Sequence, residues 1–171
     1  MEEMDKKIIG LVIAIIISIV AISGCIGENN LKTFENEKIS FKYPENFTQT
    51  KDSPPSYASL DYLMYAWFKD NATNEDIGVD SIKATISLEQ LYSNLEKSDT
   101  KNSLITDFTI ENTSFNGKSA IKEKISYKNG DHVIFLNFIH DGANYQFAFW
   151  GDDISSVESL YDTIVPTIKL K

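Results

Sequence analysis

The stretch Asn116–Trp150, NGKSAIKEKISYKNGDHVIFLNFIHDGANYQFAFW, decides the fold. It contains three short turn signals, which are Asn116-Gly117, Asn129-Gly130 and Asp141-Gly142. Such pairs favour two-residue hairpin turns, because both central residues of those turns adopt a positive φ. The runs between the turns are rich in apolar residues and have the length of β-strands. We therefore expect a meander of antiparallel strands.

The alternation of residue types within these runs predicts which strands are covered on both faces. Ser119–Lys128 carries Ile121, Ile125 and Tyr127 on one parity, and we expect its lysines to point to solvent. His132–His140 is apolar on both parities, which is typical of a central strand. Asn144–Trp150 places three aromatic residues on one face and Trp150 on the other.

Further strands and two helices surround this meander. Strands are predicted over Ile39–Tyr43, Asp61–Lys69, Val79–Ile86 and Leu104–Phe115. Helices are predicted from Ser87 to about Lys97, with Ser87 and Gln90 as a capping box, and after Asp153 up to Pro166. The stretch Glu45–Leu60 is predicted to be a long loop, either a binding loop or a surface excursion. The expected fold class is α+β, a central antiparallel sheet with helices packed on its faces.

The N-terminal stretch Lys6–Cys25, KKIIGLVIAIIISIVAISGC, predicts where the domain resides. Its apolar run from Ile8 to Ile22 would form a helix of about 22 Å, which suits a signal peptide better than a membrane span. Ile22-Ser23-Gly24-Cys25 resembles the lipobox of prokaryotic lipoproteins, in which the cysteine carries lipid. An uncleaved signal anchor is the first alternative, and a cytosolic protein with a buried helix is the second.

This anchor divides the chain into three segments and orients it. Residues 1–25 are assigned to the signal peptide or membrane anchor, 26–33 to a polar tether and 34–171 to an extracytoplasmic domain. Lys6 and Lys7 precede the apolar run, and the next lysine is Lys32. The positive-inside rule therefore places the domain on the outer side of the cell membrane.

Composition excludes several classes of function. The 171-residue chain has a net charge of −9, and all its basic residues apart from histidine are lysines. A nucleic-acid partner would require a basic surface, so we expect none. Cys25 is the only cysteine, which leaves no intramolecular disulfide. Three sequons fit an exported domain and are candidate glycosylation sites, at Asn46, Asn71 and Asn112.

No pattern of residues indicates catalysis or a resident metal. His132 and His140 lie on one strand, about 26 Å apart, and cannot bind one ion together. Asp152-Asp153 is interpreted as a helix start, with a calcium site as the alternative. Nucleophile elbows and phosphate-binding glycine loops are missing from the sequence. We expect no enzyme activity, no cofactor and no metal.

The aromatic residues of the predicted strands admit two interpretations. Most are expected to form the core, and the alternative is that some line a ligand groove. The set comprises Tyr62, Tyr65, Trp67, Phe147, Phe149 and Trp150.

The opening of the domain resembles the PsbP-like proteins. Ile39-Ser-Phe41-Lys-Tyr43-Pro44 is similar to the family's start, with Phe47 where the family usually has tryptophan. The aromatic meander and the closing helix before Thr167-Ile168-Lys169 are similar too, and archaeal lipoproteins called PsbP-related share these features. The resemblance implies an αβα sandwich and a non-enzymatic accessory or binding role. It carries no photosystem role to this chain.

Anchor, acidity and resemblance together favour a membrane-anchored, non-enzymatic binding or accessory domain that contacts a protein partner at the cell surface. One alternative is a lipoprotein that binds a small ligand or a metal and serves a transporter. An extracellular hydrolase is the third hypothesis.

Overall fold

The computed structural model describes residues 30–51 and 62–171. The apolar run, the lipobox and Cys25 lie outside the described residues, as do 52–61. The described elements, in chain order, are β1 (Leu31–Glu35), β2 (Ile39–Pro44), β3 (Phe47–Lys51), β4 (Tyr62–Asp70), β5 (Asp76–Lys83), α1 (Leu88–Lys101), β6 (Ile105–Phe115), β7 (Lys118–Tyr127), β8 (His132–His140), β9 (Ala143–Gly151), α2 (Ile154–Ile164), a 3₁₀ turn (Val165–Thr167) and β10 (Lys169–Leu170). Among these residues, none of the helices has the length and apolar character needed to cross a membrane.

The strands form two antiparallel sheets. A seven-stranded sheet has the order β3-β4-β5-β9-β8-β7-β6, and β1, β2 and β10 form a sheet of three strands. The meander β6-β7-β8-β9 confirms the prediction from the hairpin turns. Asn116 and Asp141 adopt φ of 48°, and the glycine after each adopts 72°, as two-residue turns with positive φ require.

Two details of the predicted sheet are wrong. The predicted strand Ile39–Tyr43 does not join the seven-stranded sheet, because it pairs with β1 and β10 in a separate sheet, from which Ile39 and Phe41 pack into the core. The predicted loop Glu45–Leu60 begins with a strand, since Phe47–Lys51 pairs with β4. Phe47 is 1% exposed, which explains why this segment is held against the sheet.

The main core fills the space between the seven-stranded sheet, α2 and the three-stranded sheet. Phe41 from β2 meets Phe68 of β4 and Phe147 of β9 edge-on, with ring centroids 5.7 and 5.4 Å apart. Helix α2 begins at Asp153, whose side chain accepts from the Ser155 backbone N–H. This start agrees with the interpretation of Asp152-Asp153 as a helix start.

Helix α2 also covers lysines that were expected to face solvent. Lys122 Nζ lies 4.2 Å from the centre of the Tyr161 ring, and Lys124 forms an ion pair with Glu158. Both lysines are partly buried, so their long side chains shield the edge of the core.

Helix α1 packs on the opposite face of the seven-stranded sheet, against β6 and β7. It starts with the predicted capping box, in which Ser87 accepts from the Gln90 backbone N–H and the Gln90 side chain accepts from the Ser87 N–H. The Tyr92 hydroxyl donates to the Ile110 carbonyl at 3.0 Å and ties the helix to β6. Helix α1 covers the β6-β7 part of this face, and the groove described next lies beside its C-terminal end.

Candidate ligand groove

A groove opens on the α1 side of the seven-stranded sheet, at the edge where β5 and β8 begin and β7 and β9 end. One cavity of about 620 Å³ is lined by Leu104, Tyr127, Lys128, Asn129, Asp131 and Trp150. A second cavity of about 290 Å³ is lined by Trp67, Asn74, Asp76, Asp131, Trp150 and Gly151. Trp150 and Asp131 belong to both cavities, so we treat them as one site, the Trp150 groove.

Aromatic rings build the larger cavity. The Trp150 ring lies nearly parallel to Tyr127, with centroids 6.0 Å apart and 9° between the ring planes. Phe135 meets Trp150 edge-on at 6.0 Å. Leu104, which follows α1, is 63% exposed. An exposed leucine beside stacked aromatic rings gives this cavity an apolar wall that solvent can reach.

Trp67 occupies its place because the neighbouring strand has a glycine. Gly78 lies opposite Trp67 in the β4-β5 pair. A Cβ atom at Gly78 would lie 2.5 Å from Cζ3 and 2.8 Å from Cε3 of the Trp67 ring. The indole therefore lies across the backbone of β5, a position that alanine at residue 78 would block.

The smaller cavity contains an unmatched acceptor and an unmatched donor. Asp76 of β5 pairs in register with Trp150 of β9. In the described residues, Asp76 Oδ1 and Trp150 Nε1 are buried and have no hydrogen-bond partner. Buried polar atoms are nearly always paired, so these two indicate a place that a ligand would complete.

Competing effects determine the pKa of Asp76. Burial raises the pKa of Asp76, while attraction to Lys69 and a hydrogen bond from Trp67 lower it. Burial is the largest of these effects, so the carboxylate is incompletely solvated. Such a carboxylate gains more from a cation or a hydrogen-bond donor than one in open water does.

A polar row crosses the same face beyond the groove. Asn137 of β8, Gln146 of β9 and Asp80 of β5 lie in register on neighbouring strands. Gln146 Nε2 donates to Asn137 Oδ1 at 3.0 Å, and Asn137 Nδ2 is buried with no partner among the described residues. Burial raises the pKa of Asp80 to about 6. The row leaves hydrogen-bonding capacity unused on a sheet face.

A pair of carboxyl groups lies beneath α1. Glu123 of β7 is 2% exposed and Asp99 of α1 is 8% exposed. Burial, together with the hydrogen bond and the negative charge of Asp99, raises the pKa of Glu123 to about 8. Burial raises the pKa of the Tyr127 hydroxyl, and the negative charges of Asp99 and Glu123 raise it in the same direction. The pair therefore holds a proton near neutral pH.

The three candidate glycosylation sites are not among the described residues that line this groove. Asn46, Asn71 and Asn112 are all exposed, as a modification site requires. Asn46 Nδ2, the atom that would bear a glycan, donates to Asp70 Oδ2 at 2.7 Å. Glycosylation at all three positions stays a prediction, as does lipidation of Cys25.

The two histidines occupy opposite ends of β8. His132 Nδ1 forms a hydrogen bond with Ser126 Oγ at 2.9 Å, and His140 Nδ1 lies 3.4 Å from Asp141 Oδ1. Within residues 30–51 and 62–171, no group of three or more histidine, cysteine, aspartate or glutamate residues is placed to hold a metal ion.

The candidates from the sequence include aromatic residues of the groove, but the sequence does not predict the polar residues beside them. Phe147 and Phe149 lie in the core, whereas Trp67 and Trp150 line the groove. No pattern in the sequence singles out Asp76 as a site residue, because single carboxylates beside turns are common. The available signal was parity, since Asp76 and Trp150 fall on the strand face opposite Phe147 and Phe149.

Comparison with known proteins adds information about the fold. The solution structure of cyanobacterial PsbP (CyanoP) from Synechocystis sp. PCC 6803 matches with a TM-score of 0.55 and 13% identity, over 88% of this chain and 99% of that one. No family model matches the sequence. The curated proteins contain no match either. The part of the chain that the structure describes therefore has a PsbP-like fold, built mostly of antiparallel sheet with two helices.

Proposed function

We propose that this chain is a membrane-anchored, extracytoplasmic lipoprotein of the PsbP-related archaeal type, which acts as a non-enzymatic binding domain for a protein partner at the cell surface. The Trp150 groove is the observation that supports this function. It is open to solvent, its walls include aromatic rings, and it holds buried polar atoms that have no hydrogen-bond partner among the described residues. Aromatic residues around a small number of unsatisfied polar atoms are typical of recognition sites.

The chemistry around the groove favours binding over catalysis. Nucleophilic catalysis requires a nucleophile within hydrogen-bonding reach of a base. Ser126 Oγ and His132 Nδ1 are such a pair, 2.9 Å apart, but neither residue is among the described residues that line the two cavities. Tyr127, Trp150 and Leu104 supply contact area, and Asp131 accepts a hydrogen bond from the Asn129 side chain at 2.6 Å. The groove can therefore bind a side chain or a short segment of a partner through contacts and hydrogen bonds, without a chemical reaction.

Anchoring is a separate part of the proposal, supported by the apolar run and the lipobox. Intact mass of the protein extracted from host membranes tests it. We expect a chain that begins at Cys25 and carries the added mass of lipid. A chain that begins at Met1 with unmodified Cys25 would replace lipidation with a retained helix, and full recovery in the soluble fraction would refute anchoring altogether.

Partner binding is tested by affinity purification of the tagged full chain from detergent-solubilised host membranes. The native chain is compared with Trp150→Ala and with Glu37→Gln, an exposed change in the β1-β2 turn. We expect one set of proteins to be enriched at least about tenfold with the native chain and with Glu37→Gln, and lost with Trp150→Ala. Equal enrichment with all three chains would contradict a partner site at the groove.

The small-ligand alternative is favoured by one specific observation, the polar row Asn137–Gln146–Asp80. A small polar ligand there would raise the melting temperature by mass action. Thermal unfolding of the full chain in detergent, with and without sugars, amino acids and divalent ions at millimolar concentration, tests this alternative. Asp80→Asn should remove any shift that the row produces.

A further inference from the structure

We infer that the Trp150 groove recognises the cationic side chain of a lysine or arginine on the partner protein. This inference rests on the proposed function and names the chemistry of its partner. Three independent features of the groove support it: the aromatic faces, the incompletely solvated carboxylate of Asp76, and the charge of the surrounding turns.

The aromatic faces provide the first argument. Trp67 and Trp150 are both wall residues of the smaller cavity, and Tyr127 lies 6.0 Å from Trp150. Indole and phenol rings attract cations through the negative potential over their faces, and tryptophan does so most strongly. A methylene chain can also pack on these rings, so a long basic side chain matches the groove in both its apolar and its charged part.

Asp76 provides the second argument. Its Oδ1 atom is buried and, like the neighbouring Trp150 Nε1, has no hydrogen-bond partner within residues 30–51 and 62–171. A neutral apolar ligand would leave the carboxylate oxygen unsatisfied, at a cost in free energy. An ammonium or guanidinium group would donate to Oδ1 and offset its charge. A carbonyl beside that group would accept from the indole N–H.

The charge of the nearby turns provides the third argument. Asp131 lines both cavities, and Asp152 accepts a hydrogen bond from the cavity residue Asn74 at 3.2 Å. Among the described residues, Lys128 is the basic residue that lines the cavities, and Lys69 of β4 lies opposite Asp76. The chain as a whole has a net charge of −9. A basic partner surface would therefore be attracted to this edge of the sheet.

The two tryptophans make the test direct. The chain has only two, and both line the smaller cavity, so intrinsic tryptophan fluorescence reports on this groove alone. The full chain in detergent micelles is titrated with acetyl-Ala-Lys-Ala-amide, with the arginine analogue, and with the neutral norleucine analogue. Butylammonium serves as the free-amine probe.

We expect the lysine or the arginine peptide to bind at least about tenfold more tightly than the norleucine peptide. The preference should fall below about threefold in Asp76→Asn, which keeps shape and both tryptophans, and stay unchanged in Glu37→Gln. Because Asp131 is partly exposed, Asp131→Asn gives a second readout if Asp76→Asn misfolds. Added salt should weaken the peptide's binding.

The outcomes separate this inference from the proposed function. Equal binding of lysine and norleucine peptides, or no fluorescence response to either, would overturn the inference even if affinity purification finds a Trp150-dependent partner. Tighter binding of butylammonium than of the lysine peptide would also overturn it, because the groove would then select a free amine. Loss of every Trp150-dependent partner would instead refute the proposed function.

Discussion

Replacing Glu123 with glutamine tests how the buried carboxyl pair affects stability. Glu123 faces Asp99 of α1, and Tyr127 of its own strand contributes the third titratable group at this place. Burial, followed by the hydrogen bond and charge of Asp99, raises the pKa of Glu123 from 4.5 to about 8. Between these two pH values the folded chain holds a proton that the unfolded chain has released.

The direction of the pH effect follows from that proton. The stability that Glu123 contributes is fully present below about pH 4.5 and is lost as the pH rises through about 8. Each pH unit in this window corresponds to about 1.4 kcal/mol, so the loss reaches about 5 kcal/mol at most. Glutamine cannot ionise and can donate to Asp99. Glu123→Gln should therefore unfold at higher urea than the native chain at pH 8, with little difference at pH 5.

Urea unfolding of the full chain in detergent, followed by circular dichroism at several pH values from 5 to 8.5, measures this effect. Native protein and the Glu37→Gln control should lose several kcal/mol across the range. The dependence above pH 6.5 should be largely absent in Glu123→Gln. Asp80 titrates lower, with a pKa of about 6, and should keep its own contribution in every variant. An identical pH dependence in Glu123→Gln and native protein would show that ionisation of Glu123 does not cause the loss of stability.

Three further substitutions test features of the fold. Gly78→Ala should cost about 1–3 kcal/mol and change the tryptophan fluorescence, because a Cβ would meet the Trp67 ring at 2.5 Å; unchanged emission and stability would contradict that contact. Gly142→Ala should cost about 1 kcal/mol in urea unfolding, since φ is +72° and the surrounding space is open. Ser87→Ala should cost about 1 kcal/mol by removing the helix cap, whereas Ser87→Asp should retain most of the stability.

Local patterns in the sequence were sufficient for most of the fold. The hairpin turns predicted the meander, because asparagine or aspartate followed by glycine satisfies a geometric requirement that acts over two residues. Ser87 and Gln90 predicted the start of α1 for the same local reason. The position of the β1-β2 hairpin was not predictable in this way. Both a strand in the central sheet and a separate layer bury Ile39 and Phe41 equally well.

The candidate groove was harder to predict, because it depends on neighbours across the sheet. Trp150 looked like a residue on the second face of its strand, which the structure bears out. Trp150 becomes part of a groove through Asp76 on β5 and Trp67 on β4. These two residues come close to it only because the strands pair in this order. Glu123 illustrates the same limit. It shares the parity of Ile121 and Ile125, yet only α1 shows that the acid is buried beside Asp99.

We propose that the Trp150 groove binds a protein partner outside the cell, and photo-crosslinking in living host cells tests this binding. A benzophenone amino acid replaces Leu104 at the rim of the groove, and a matched chain carries it at Glu37. We expect one discrete crosslinked protein from position 104, abolished by Trp150→Ala, and none from position 37. No crosslink from position 104, or the same product from both positions, would contradict binding of a protein partner at the Trp150 groove.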